Sequence, residues 1–428
     1  MNGTTLDSVF LRHCCFLLTA VLGLSIFPAR VEAQDQFKFK ANLDPFITLP
    51  GAWELTPDAV EKLFPPPEGV KINPHFKWLT SNHSRAHFTR RPYSNVTIDL
   101  TFFDESVGVE EAIIDFKDGK LLGLTVSILN RGDSSREDIG DFDRRLKIFG
   151  KKIGEKLDIR PTRRKSKPAS GLLTEGWIWL SKKGMAVLEH NPEAPEKVEF
   201  LRMRFARRDA GGAYAAATRS RTGASVKLSD LPARVKKDDK GNVFVSGLPM
   251  VDQGRKGYCV VASAQRLFEY YGIPCDQHQL AQIAGSDPAR GTSVISINEE
   301  LGKIDHCFKT RFEALAVKYG NGGFYEMKKD RRPGRKVGRD DFRKRIRTYI
   351  DDGIPLLWAL ELGRFPEEPA ISPQTTGGHV RMIIGYNDRN NRIIFSDSWG
   401  AGHEFKTMDA DHVYQVTHGL FVLQPVTR

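Results

Sequence analysis

The sequence predicts an α+β protein in two parts, and three observations carry that prediction. Strand-like runs rich in β-branched and aromatic residues fill the first half. A tract poor in large apolar residues interrupts the middle, and a helix pattern followed by a strand hairpin marks the second half. A chain of 428 residues exceeds what one hydrophobic core usually supports, so two domains are the default. An apolar fraction of 40% with 27% charged residues excludes a fibrous or wholly disordered chain.

The first residues are read separately. Arg12 and His13 precede an apolar run, Cys14 to Phe27, and Val31-Glu32-Ala33 offers small residues at the positions a signal peptidase reads. Residues 1–33 are therefore expected to be a secretory signal peptide, with the mature chain secreted or periplasmic. The run is too short to span a bilayer comfortably, so no stable transmembrane segment is expected after cleavage; a retained anchor is the competing reading. Cleavage leaves Cys259, Cys275 and Cys307, an odd count. A Cys275–Cys307 disulfide would leave Cys259 free, and two further buried thiols fit equally well.

Residues 34–207 read as an antiparallel sheet plus a helix. Strand patterns cover 85–90, 96–103, 112–116, 121–129 and 186–189, with Asp118-Gly119 as a turn signal. A helix is predicted over 135–157, where Ile139, Phe142, Leu146, Phe149, Ile153 and Leu157 step by three or four. Strands resume at 176–180 and 198–205. Nothing in this half suggests chemistry, and it is read as an accessory domain of unknown role. Residues 208–242 shift to Ala, Gly, Ser, Thr and Lys; between Asp209 and Thr222, Tyr214 is the only large apolar residue, which predicts a linker. The second domain is placed at 243–428.

Two segments of that domain carry reactive groups. Apolar residues follow Cys259 at 260, 261, 264, 267, 268 and 271, and Gly272 sits where a helix would end. Cys259 thus begins an amphipathic helix, where unpaired N–H groups and the helix dipole stabilise a thiolate and can face a developing oxyanion. Gly377-Gly378-His379 then opens a strand pattern through Tyr386, Asn387 to Asn391 makes a polar turn, and Ile393-Ile394-Phe395 returns toward Asp397. In a hairpin of this length His379 and Asp397 can be neighbours, and a carboxylate beside an imidazole fixes its tautomer and favours its charged form.

These residues resemble the papain-like cysteine peptidases. Gln253 lies six residues before Cys259, the spacing of that family's oxyanion-hole glutamine, and Asp397-Ser398-Trp399-Gly400 is similar to its Asn-Ser-Trp-Gly signature. Asp in place of Asn is most similar to the branch of double-glycine leader peptidases. The resemblance covers about 247–424 and implies a domain with an N-terminal helical part and a C-terminal antiparallel sheet. It implies that Cys259 attacks the carbonyl and His379 moves the proton. It further implies that Asp397 orients the imidazole, that Gln253 holds the oxyanion and that Trp399 covers the His–Asp pair. Lys256 and Val260 stand where papain has a second Cys and an aromatic, which argues against a close cathepsin relative. No Walker-type phosphate loop is present, so the ATPase fused to many leader peptidases is absent from this sequence.

The expected function is that of an exported cysteine peptidase acting through a thioester on Cys259, without cofactor. An inactive peptide-binding module or an acyl transferase is the alternative. No Cys/His cluster has metal-ligand spacing. Lys328 to Arg347 holds eleven Lys and Arg against three Asp, either a solvated face or a contact for an anionic surface. No nucleic-acid module surrounds it.

Overall fold

Ala86, Ile114 and Leu124 lie opposite one another on three neighbouring strands, as do Phe88, Ala112 and Val126, and all six are buried. Period-two alternation thus turns one face of the first sheet into a core wall. The structure, a computed structural model, describes residues 37–426 apart from 93–94, 166–173, 219–225, 255, 287–298, 300, 303–307, 321, 329–331 and 371–375. The expected signal peptide and Cys307 lie outside the described residues.

The first sheet has eight antiparallel strands. Their order is Lys77–Trp78, Arg85–Thr89, Glu111–Lys117, Lys120–Asn130, Phe200–Ala206, Met185–His190, Glu175–Leu180 and Thr162–Lys165. Phe37–Asn42 pairs in parallel with Val96–Phe102 in a smaller sheet, so this half is not wholly antiparallel. The helix predicted over 135–157 is two helices, Arg136–Gly140 and Phe142–Leu157. Ser135 and Asp138 close a reciprocal capping box around the first, and Asp141 between them is held by Arg144 at 2.6 Å. Phe142, Phe149, Ile153 and Leu157 enter the core regardless, because the break keeps the apolar stripe in phase.

The segment read as a linker is partly structured. It contains a helix, Gly212–Thr218, a 3-10 turn, Leu228–Arg234, and a strand, Val235–Lys237. Tyr214 is buried and its hydroxyl donates to Asp115 Oδ2 at 2.8 Å, while Leu231 is sealed in the second core. Composition misses this because the anchors are two single side chains with distant partners.

The second sheet runs Val235–Lys237, Val243–Val245, Gly377–Asn387, Leu356–Leu362, Thr417–Pro425, Thr310–Tyr319, Gly323–Met327 and Pro333–Val337. Arg392–Ser396 and Lys406–Asp409 are added beside Gly377–Asn387. Helix Cys259–Tyr270 lies against it, with Ser263 Oγ donating to Val380 O at 3.4 Å. The basic run forms the last strand of that order and helix Arg339–Asp351. Its Arg339 and Arg343 pair with Asp411 at 2.9 and 3.0 Å, Arg345 pairs with Glu326, and Arg347 with Asp388 at 2.5 Å. Much of this charge is compensated within the chain. Among the described residues no helix is long and apolar enough to cross a membrane.

The described residues form one unit. Arg85 of the first sheet joins the two parts, donating to Asp115 (2.6 Å), to Glu269 of the Cys259 helix (2.9 Å) and to Met250 O (3.0 Å).

Candidate active site

Cys259 is the first residue of its helix, and Tyr258 before it has left helical geometry (φ −94°, ψ 18°). The helix-start N–H groups around the sulfur have no partners within the helix, which favours negative charge there. His379 lies in strand Gly377–Asn387, and Asp397 follows strand Arg392–Ser396 directly. The hairpin register pairs Met382 with Ser396, which returns the chain to the level of His379.

The imidazole and carboxylate meet: His379 Nε2 lies 2.7 Å from Asp397 Oδ1. Nδ1 is then the nitrogen left for the sulfur. Burial opposes a charge on His379. The attraction of Asp397, the hydrogen bond to it and a hydrogen bond with the Cys259 side chain outweigh burial and push its pKa up to about 9. Burial also works against the Asp397 carboxylate, yet His379, Arg381 and the Ser398 N–H hold its pKa well below the usual range. Cys259 keeps 9% exposure and His379 7%, whereas Asp397 is fully buried. The Trp399 ring stacks on the imidazole at 4.7 Å between centroids and 24° between planes.

Gln253 is fixed to the same strand end. Its N–H donates to Ser398 O at 3.1 Å, and its Oε1 accepts from Ser398 Oγ at 2.8 Å. With the oxygen so held, the amide nitrogen is the group left to face a ligand, its contact to Lys256 O being long at 3.4 Å. The four positions singled out from spacing thus meet at one helix tip and one hairpin end.

Spacing did not find the groups behind them. Arg381, fully buried, donates to Asp397 Oδ2 at 2.6 Å and to Glu367 at 2.5 Å, and Lys406 lies 2.5 Å from the same glutamate. Arg266, two turns along the Cys259 helix, donates to Pro249 O (2.8 Å), Asp397 O (2.8 Å) and Ser396 Oγ (2.6 Å), locking the helix to the Asp397 turn. Arg381 had one sequence signal: it is the charged residue two positions after His379, on the same strand face, in an otherwise apolar run.

Cys275 is a free, buried thiol whose pKa is raised well above the ordinary value by burial and by Asp276. It is chemically quiet. Among the described residues no group of His, Cys, Asp and Glu could hold a metal. A cavity of about 1030 Å³ opens between the two sheets beside Asp252, but neither Cys259 nor His379 lines it.

Residues 245–420 match the model of the Peptidase C39-like family. Similar solved structures include the peptidase domain of Streptococcus ComA, a bi-functional ABC transporter involved in a quorum sensing pathway. It is 15% identical, covers 42% of this chain and 99% of that one, and has a TM-score of 0.27. Xylellain, a cysteine protease from Xylella fastidiosa, is 13% identical over 47% of this chain and 91% of that one, with a TM-score of 0.25. No curated protein sequence matches. The region from 245 to 420 is thus similar to cysteine peptidases of that family. More particularly, the likeness is to papain-like peptidases of the kind that includes the double-glycine leader peptidases.

Proposed function

We propose that Cys259, His379, Asp397 and Gln253 form the catalytic set of an exported cysteine peptidase. The reading rests on one observation: an imidazole that hydrogen-bonds Asp397 at 2.7 Å and whose charged form is further favoured by a cysteine at a helix tip. The Cys259 thiolate attacks the scissile carbonyl, and the carbonyl oxygen becomes an oxyanion held by the Gln253 amide and the Cys259 N–H. His379, protonated, passes its proton to the leaving amine as the C–N bond breaks, leaving a thioester on Cys259. Neutral His379 then takes a proton from water as it attacks the thioester; the C–S bond breaks, the acid product is released, and the Cys259 thiolate and protonated His379 are restored. Asp397 keeps the imidazole oriented throughout, and the Trp399 ring shields that pair from water.

A thiol-directed activity probe tests this. Labelling should disappear in Cys259→Ala and fall in His379→Ala; equal labelling of wild type and His379→Ala would mark Cys259 as an ordinary exposed thiol. Export rests on the apolar run from Cys14 to Phe27 and the small residues before Gln34. N-terminal sequencing of protein collected outside the cytoplasm should begin at Gln34; recovery of an uncleaved chain only inside the cell would refute export.

A further inference from the structure

Gln253 sits in a short loop that the N-terminal half grips on both sides. On one side is Asp252, buried, whose carboxylate pairs with Lys77 and lies 3.7 Å from His87 Nδ1. Lys77 and His87 are directly opposite in adjacent strands of the first sheet, so strand pairing fixes both groups against one carboxylate. The other carboxylate oxygen, Asp252 Oδ1, accepts from Gly254 N–H at 2.9 Å and closes the turn in which Gly254 takes φ +67°.

On the other side Lys256 reaches back into the first half. Its ammonium pairs with Asp133, and it lies 5.5 Å from the centre of the Tyr258 ring, next to Cys259. A Cβ on Gly132 would meet the Lys256 stem at 2.7 Å, so a larger residue there would push the stem aside. Glu111 of the same sheet adds a negative charge that attracts Lys256, and it bonds His87 at 3.2 Å and His278 at 2.9 Å.

The loop is therefore pinned one residue before Gln253 and three after it by groups from residues 77–133, while Ser398 holds the side chain from the peptidase half. Each pair joins one buried group to a partly exposed one, and because screening and desolvation offset much of the attraction such pairs contribute little net stability, so what they supply best is a fixed geometry. An oxyanion donor is sensitive to that geometry: a misplacement of about 1 Å can cost roughly 10²-fold in rate. We infer that the N-terminal half is a positioning element of the active site, with Lys77, His87 and Asp133 holding the Gln253 loop in register with the reacting carbonyl. This rests on the oxyanion role proposed for Gln253.

The test compares two reactions of Cys259 in the full chain. Acylation by p-nitrophenyl acetate passes through an oxyanion, whereas alkylation by iodoacetamide does not. Lys77→Met and Asp133→Asn should each slow the Cys259-dependent acylation about 10- to 100-fold and leave alkylation unchanged. On a Gln253→Ala background they should slow acylation no further. Unchanged acylation in both variants while Gln253→Ala is slow would overturn the inference, as would parallel loss of acylation and alkylation, or losses that add to that of Gln253→Ala. A normal acylation rate in Gln253→Ala would instead remove the oxyanion assignment itself. Lys77 and Asp133 keep 44% and 31% side-chain exposure, so the milder variant carries the test should the other unfold.

Discussion

Asp397 has more partners than an orienting carboxylate requires. One oxygen takes His379 and the Ser398 N–H, and the other takes Arg381, which in turn holds Glu367 beside Lys406. An Asn at this position could accept from His379 but could not balance a buried guanidinium, which gives a physical reason for Asp here. Removing one partner from such a network leaves charge buried without compensation. Arg381→Met is accordingly expected to destabilise the fold by about 3–5 kcal/mol, read from urea unfolding. A change below about 1 kcal/mol would show that the network is replaceable by packing. At this scale the sequence was legible where chemistry constrains spacing, as with Gln253, Cys259, His379 and Asp397. It was silent on Glu367, Lys406 and Arg266, whose partners lie far away in sequence.

The hairpin sets the element scale. Gly385 lies where strand Gly377–Asn387 passes Val243–Val245, and a Cβ there would meet Val243 O at 2.4 Å. Backbone lies on the far side of that contact, so the strand itself must shift. The same strand shows an irregular register between Ile383 and Gly385 against Arg392–Ser396. Gly385→Ala should cost about 1–3 kcal/mol and lower the thermal midpoint, because the added methyl overpacks two strands at once. An unchanged midpoint would show that strand Val243–Val245 gives way freely. Helices and hairpins here were legible from period and turn residues, since Gly272 and Asn387 to Asn391 act locally. The break at Asp141 was not, because the apolar stripe of 135–157 continues in phase across it.

Across the whole molecule, the two sheets are joined by buried charge rather than by chain connectivity alone. Arg85 bridges Asp115 and Glu269, and Arg202 bridges Glu189 and Asp276, the N-cap of helix Gln277–Ala284. Neither bridge could be read from sequence, as each joins residues more than seventy positions apart. Arg85→Ala leaves the partly buried Glu269 without its cation and is expected to cost about 1–3 kcal/mol. Fluorescence and circular dichroism should still report one coincident unfolding transition in the wild type; two separate transitions would mean that the halves fold independently.

The coupling of sulfur, imidazole and carboxylate is tested most directly by an NMR titration of the His379 ring. With a folded pKa near 9 against an ordinary value of 6.5, the imidazolium stabilises the fold fully below about pH 6.5, and that contribution is lost as pH rises through 9. A midpoint near pH 9 is expected in the wild type, moving down in Asp397→Asn and in Cys259→Ala. A midpoint near 6.5 that neither substitution shifts would contradict that coupling.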